Sequence, residues 1–209
     1  MQIIPAVLTD NKPDLIEKIK SLAEIFNLVQ IDIMDGVFVD NKSVSLSDID
    51  ALPDLLFEIH LMVKNPVEYL ADCERIGAKR VFVHIESVDD MQELLARSVL
   101  YDFSLGLAVN PQTPLTKIFP FVPDIDWVLI LGVEPGRQGQ EFIGSTLDKV
   151  ATLKKYYPSV LVEVDGGVKP DNIAAIKNSG ADAVAVGSFI INSSNKGKAY
   201  QQLLSALNN

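Results

Sequence analysis

The chain has 209 residues, 48% apolar and 22% charged, the balance of a soluble globular protein with length enough for one sizeable core. A formal net charge of −10 argues against nucleic acid or an anionic membrane surface as the main partner. A local site can still oppose that field, so an anionic small molecule stays open as a substrate. The single cysteine, Cys73, excludes an internal disulfide and suits a reducing compartment. It falls in a helical pattern with Tyr69, Leu70 and Ile76 and reads as a packed thiol. The chain begins without a basic leader and has no apolar run long enough to span a bilayer, so a cytoplasmic location is expected.

Ile3 to Leu8 reads as a first strand, with Thr9 or Asp10 capping a helix that carries Pro13 in its first turn. Ile16, Ile19, Leu22, Ala23 and Phe26 form its apolar stripe. A second strand covers 28–34, a polar loop follows, and a short helix is expected near 47–52. The third strand runs from Leu55 to Met62, and Pro66 opens a helix that reaches Ile76 and stops at Gly77. Strands at 79–85, 103–109, 125–131, 160–165 and 181–186 complete the set. Helical stretches lie between them at 89–100, 114–119, 145–156 and 170–177. A turn is expected at Gly187-Ser188, and a last helix covers about 196–207.

Eight strands, each followed by a helix at spacings of roughly 20–30 residues, predict a (β/α)₈ barrel built from right-handed parallel crossovers. An open doubly wound sheet would carry a glycine fingerprint after its first strand, and Leu8-Thr9-Asp10 stands there instead. No linker or composition break divides the chain, so residues 1–209 are expected to form a single barrel domain.

Two stretches carry charge where apolar residues dominate. In residues 28–38, Val29, Ile31 and Ile33 share one strand face, and Gln30, Asp32 and Met34 share the other. Asp35 and Gly36 close the run. In residues 160–168, Glu163 and Asp165 share a face just before Gly166 and Gly167. A carboxylate inside such a strand is costly unless it is paired or bound to a metal. A strand-end aspartate that caps a turn explains either stretch alone, but explains the two together less well. Active sites of these barrels lie at the C-terminal strand ends, where Asp32, His60 and Asp165 all fall. Two carboxylates and an imidazole at one mouth suit a divalent metal, with the carboxylates free to move protons. Gly136, Gly139, Gly166, Gly167 and Gly187 cluster in the late loops, where backbone N–H groups can approach a phosphate.

These segments resemble the ribulose-phosphate 3-epimerase family over essentially the whole chain. The matching runs are Ile4-Pro5-x-x-Leu8, Asp32-x-Met34-Asp35-Gly36-x-Phe38-Val39, His60-Leu61-Met62-Val63 and Asn110-Pro111-x-Thr113-Pro114. Later come Val133-Glu134-Pro135-Gly136-x-x-Gly139-Gln140-x-Phe142, Glu163-Val164-Asp165-Gly166-Gly167-Val168 and Gly187-Ser188. The resemblance implies a phosphoketose 3-epimerase acting on D-ribulose 5-phosphate to give D-xylulose 5-phosphate. It makes Asp32 and Asp165 the acid–base pair, one on each face of the sugar, working through a metal-stabilised enediolate. It makes Asp32, His60 and Asp165 ligands of a divalent ion, and the glycine turns, with Gln140 and Ser188, the phosphate and substrate contacts. Met34 and Met62 read as soft packing around that site. A homo-oligomer is expected.

The departures from the family pattern all lie at the mouth. Gln30 replaces a second metal histidine, Ala6 a serine, Val37 a histidine and Asp40 a proline. The usual Gly-Phe-Gly-Gly reads Gly136-Arg137-Gln138-Gly139, which makes Arg137 a candidate phosphate contact. An amide oxygen is a poorer zinc ligand than imidazole and suits harder ions, so Zn²⁺, Fe²⁺, Mn²⁺ and Mg²⁺ all stay open. Three readings follow: a weaker or different metal, a different ketose phosphate such as a hexulose 6-phosphate, or a phosphosugar-binding barrel without catalysis.

Overall fold

The computed structural model describes residues 1–49 and 55–208. Eight parallel strands close into a barrel in chain order: β1 (Gln2–Val7), β2 (Leu28–Met34), β3 (Leu56–Met62), β4 (Ala78–His84), β5 (Ser104–Val109), β6 (Trp127–Leu131), β7 (Leu161–Asp165) and β8 (Ala183–Val186). β1 pairs with both β2 and β8, which leaves no free edge. The helices are α1 (Lys12–Ala23), α2 (Leu70–Arg75), α3 (Met91–Ser98), α4 (Thr146–Tyr156), α5 (Ile173–Asn178), α6 (Ser188–Ile191) and α7 (Lys196–Leu207).

The period-two reading of β2 holds. Val29, Ile31 and Ile33 are buried in the apolar layer between barrel and helices, with Leu15, Ile19 and Leu22 of α1 in the same layer. Gln30, Asp32 and Met34 are also buried but absent from that layer, because the opposite face of each strand looks into the barrel. That interior holds Phe82, Ala108, Leu129 and Leu131. Phe82 needs Gly106 beside it, since a side chain on Gly106 would run into the phenyl ring.

Several expectations change in detail. Asn11 caps α1, accepting from Asp14 N, whereas Thr9 and Asp10 lie too early to reach that amide. After β5 the described connection carries only 3₁₀ turns, Leu115–Lys117 and Val122–Asp124, because each is followed within a few residues by a break in the helical pattern. Between β2 and β3, Leu46–Asp48 is a 3₁₀ turn, and the rest of the expected 47–52 helix runs into residues 50–52, outside the described set. Gly187-Ser188 leads directly into the one-turn helix α6. Cys73 is fully buried, and that burial pushes its thiol up to about 12, as a packed cysteine requires.

Candidate active site

Register brings the functional side chains together. Asp32 on β2 is the direct neighbour of His60 on β3, and Asp165 on β7 pairs with Leu131 on β6. Each points inward near the C-terminal end of its strand, so residues 133 positions apart in sequence reach the same few ångströms of barrel floor. His60 Nδ1 lies 3.3 Å from Asp32 Oδ1 and 3.2 Å from Asp165 Oδ2. Gln30, completely buried on the same face of β2, donates through Nε2 to both of those oxygens, at 2.8 Å and 2.9 Å.

The electrostatics follow from this geometry. Burial raises Asp32's hold on a proton and the neighbouring Asp165 charge raises it further, outweighing the hydrogen bonds from His60 and Gln30. Burial alone would lower the pKa of His60, but hydrogen bonds and charge from Asp165 and Asp32 lift it to about 9. His84 Nε2 lies 2.8 Å from His60 Nε2, and its Nδ1 lies 3.3 Å from Glu86 Oε2. Burial and the neighbouring His60 lower His84 to about 4, against the pull of Glu86. His84 is therefore neutral, donating to Glu86 and accepting from His60, which fixes the orientation of the His60 ring.

The donor set fits a divalent ion. One ligand atom each from Asp32, His60 and Asp165 falls within 4.8 Å of the others. His60 Nδ1 is buried between the two carboxylates, so the lone pair exposed when its proton leaves would point into the space they share. Gln30 Oε1 is buried without a partner, while Nε2 faces the carboxylates. Reversing the amide would aim Oε1 at the same place, an arrangement that two anionic oxygens tolerate only with a cation between them.

Above this floor, one cleft is lined by Asp32, His60, Asp165, Met34 and Met62 together with the loop after β6 and the turns after β7 and β8. Gly136, Arg137, Gly139 and Gln140 of the β6 loop, Gly166 and Gly167 after β7, and Gly187 and Ser188 after β8 all line it. Arg137 is exposed at its rim. Gln140 donates to Glu134 O and Arg137 O, so it shapes its own loop. Gly167 has a positive φ of 70° and lies so close to Phe142 that a Cβ would come within 2.8 Å of its backbone. That glycine serves the packing of one loop on another as well as any approach to a ligand.

Asp35 has the plainer role. It accepts from the N–H groups of Val37, Phe38 and Lys64, which hold its carboxylate below the usual range despite partial burial and tie the β2 loop to the β3 loop. Glu163, two residues before Asp165, lies deeper in the barrel beside Glu58 and Arg80. Sequence reasoning did not anticipate the His60–His84–Glu86 chain or Gln138, whose amide donates to Ala6 O at 3.0 Å. The departure of Gln138 from the glycine of the family pattern was the available signal for the latter.

Comparison with known proteins agrees with this picture. A model of the ribulose-phosphate 3 epimerase family matches residues 2–191. The cytoplasmic isoform of ribulose-phosphate 3-epimerase from Oryza sativa subsp. japonica is 32% identical over 97% of this chain and 92% of its own. Ribulose-phosphate 3-epimerase from Aquifex aeolicus is 36% identical over 78% of this chain and 77% of its own. Among solved structures, 3-hexulose-6-phosphate synthase from Salmonella typhimurium superposes with a TM-score of 0.76 at 15% identity, covering 100% of this chain and 99% of that one, a likeness of fold. Among the described residues, no helix is long and apolar enough to cross a membrane. By sequence across nearly its whole length, the chain belongs to the ribulose-phosphate 3-epimerase family of carbohydrate epimerases.

Proposed function

We propose that this protein is a phosphoketose 3-epimerase interconverting D-ribulose 5-phosphate and D-xylulose 5-phosphate in a single barrel domain. The observation that carries the reading is the convergence of Asp32 Oδ1 and Asp165 Oδ2, from β2 and β7, on the Gln30 amide nitrogen at 2.8 Å and 2.9 Å. Epimerisation at C3 requires one group to remove a proton from one face and a second to deliver a proton to the other. Two carboxylates facing each other across a buried floor suit that task, and burial favours a proton on Asp32, as the acid partner needs.

Asp32, His60 and Asp165 would hold a divalent ion, with Gln30 as a fourth group if its amide presents Oε1. Such an ion would polarise the substrate oxygens and stabilise negative charge as the C3 proton leaves. His84 keeps the His60 ring in place through its Nε2 contact. Met34 and Met62, nearly buried at the cleft wall, exclude water from the reacting carbon. The amides of the glycine turns at 136, 139, 166, 167 and 187, with Ser188, form the phosphate end, Gln140 shapes the loop that carries the first two, and Arg137 at the rim adds positive charge near it. We also assign the protein to the cytoplasm, and to a homo-oligomer.

Proton NMR of D-ribulose 5-phosphate in D₂O tests the reading, run with the protein as purified and with added Mn²⁺, Fe²⁺ or Zn²⁺. Loss of the C3 proton signal with formation of xylulose 5-phosphate is the expected result. Absence of exchange with every ion would overturn it.

A further inference from the structure

The loop between β6 and α4 straps the barrel mouth from one side to the other. On the β2 side, Asn41 Nδ2 donates to Gly136 O at 2.9 Å, and Val39 packs against Gly136. On the opposite side, the loop reaches the junction of β8 and β1 through one side chain, Gln138. Its Nε2 donates to Ala6 O at 3.0 Å. Its carboxamide also lies over the α-carbon of Gly187, where an added Cβ would meet Nε2 at 2.7 Å and Cδ at 2.8 Å.

The Gln138 amide fills the space beside the Gly187 α-carbon that a side chain there would take. Gln138 lines the same cleft as Asp32, His60 and Asp165, and it is only half-buried. Its bond to Ala6 O uses one of its two amide hydrogens, and the second is free to donate to a ligand in the cleft. The nearby residues Ala6 and Leu8 are apolar, so at this edge Gln138 adds a polar side chain to that of Ser188.

We propose that Gln138 is a specificity-determining residue, whose carboxamide, seated on Ala6 O and over Gly187, hydrogen-bonds the phosphate of the substrate. This inference rests on the phosphoketose reading for the identity of the ligand, but not on turnover. The free N–H donates to a phosphate oxygen, and the bond to Ala6 O keeps the amide from turning its oxygen towards the anion. A neutral amide tolerates the dianion, a carboxylate of the same shape repels it, and an ammonium attracts it.

Four proteins test this: wild type, Gln138→Ala, Gln138→Glu and Gln138→Lys, each assayed for epimerisation and, by calorimetry, for binding of inorganic phosphate. A hydrogen bond to a charged group predicts a KM for D-ribulose 5-phosphate raised about tenfold in Q138A and about a hundredfold in Q138E, with kcat within about threefold. Q138K restores KM to the wild-type value or below. Phosphate affinity follows the same order, and preference for D-ribulose 5-phosphate over D-ribulose falls about tenfold in Q138A. Equal KM in Q138A and Q138E, or a loss confined to kcat, would make Gln138 a loop tether and overturn the proposal. Phosphate binding that follows this charge-dependent order across the four proteins, with a wild type that does not epimerise ribulose 5-phosphate, would leave the phosphate contact standing and remove the epimerase reading. A substituted protein that does not fold is replaced by Q138N, whose shorter amide predicts the Q138A phenotype.

Discussion

The Nε2 atoms of His60 and His84 lie 2.8 Å apart, and the two rings stack at 5.0 Å between centroids with 22° between their planes. A bond between them needs a hydrogen on one Nε2 and a lone pair on the other, and here the carboxylates on one side and Glu86 on the other decide the order. His60, between Asp32 and Asp165, takes the charge, and His84 stays neutral.

That division predicts how metal-free protein responds to pH. The folded His60 pKa of about 9 exceeds its ordinary 6.5, so its contribution is complete below 6.5 and is lost as pH rises through 9. Its size is on the order of 3 kcal/mol. His84 has the opposite sign: its contribution is complete above 6.5 and lost as pH falls through about 4. Urea unfolding of metal-free protein should therefore show maximal stability near pH 6.5, declining on both sides. A stability curve still rising at pH 9 would contradict the assignment.

Metal binding must displace the Nδ1 proton of His60 from between the carboxylates. Affinity for Mn²⁺ should therefore increase roughly tenfold per pH unit between 6.5 and 9, with one proton released per ion. Calorimetry in buffers of different ionisation enthalpy measures that proton directly.

Gln30 bridges Asp32 and Asp165 through its amide nitrogen. Gln30→Met removes that donor from two buried carboxylates and should destabilise the metal-free protein by about 1–3 kcal/mol. Gln30→His supplies an imidazole and should tighten Zn²⁺ binding by on the order of tenfold or more. Unfolding with and without chelator, together with a zinc titration of both variants, separates the two roles.

Asp32→Asn and Asp165→Asn should each reduce epimerisation by about 10²–10⁴-fold. Asp32 and Asp165 serve opposite faces of the substrate in the proposed reaction. Exchange of the C3 proton with D₂O, read from each epimer separately, should therefore fall unequally in the two variants. Equal residual exchange from both epimers would argue against a two-base division of labour.

Deeper in the barrel, Arg80 contacts Glu58 closely, lies 3.8 Å from Glu163 and stacks on Trp127 at 4.0 Å. Burial, reinforced by the charge of Glu58, pushes Glu163 well above the usual carboxylate range in spite of Arg80, which favours its protonated form. Glu163→Gln should cost little, because an amide replaces a protonated acid of the same shape. Arg80→Met should cost about 3–5 kcal/mol by leaving Glu58 buried without its cation. Thermal denaturation of the two variants gives the comparison.

Much of this molecule is legible along the chain. The alternation of β2 separates Val29, Ile31 and Ile33 from Gln30, Asp32 and Met34, and the same logic puts Glu163 and Asp165 on one face of β7. Strand count and spacing imply a closed parallel barrel, because crossover handedness and strand twist allow few other arrangements of repeated βα units. Helix ends were less legible. Asn11 outcompetes Thr9 and Asp10 as a cap by a shift of one or two residues, a choice that depends on where Asp14 N falls.

The sequence by itself determined the barrel, the inward face of each strand and the kinds of chemistry available at its mouth, since these depend on local periodicity and residue type. Only the tertiary structure decided that Asp35 is a turn cap while Asp32 meets Asp165, that His84 supports His60, and that Gln138 lies over Gly187. Apart from the local bonds of Asp35 to Val37 and Phe38, these contacts join residues tens to more than a hundred positions apart, set by barrel closure and strand register. A one-residue change in register would turn Asp32, His60, His84 or Asp165 to the opposite face of its strand.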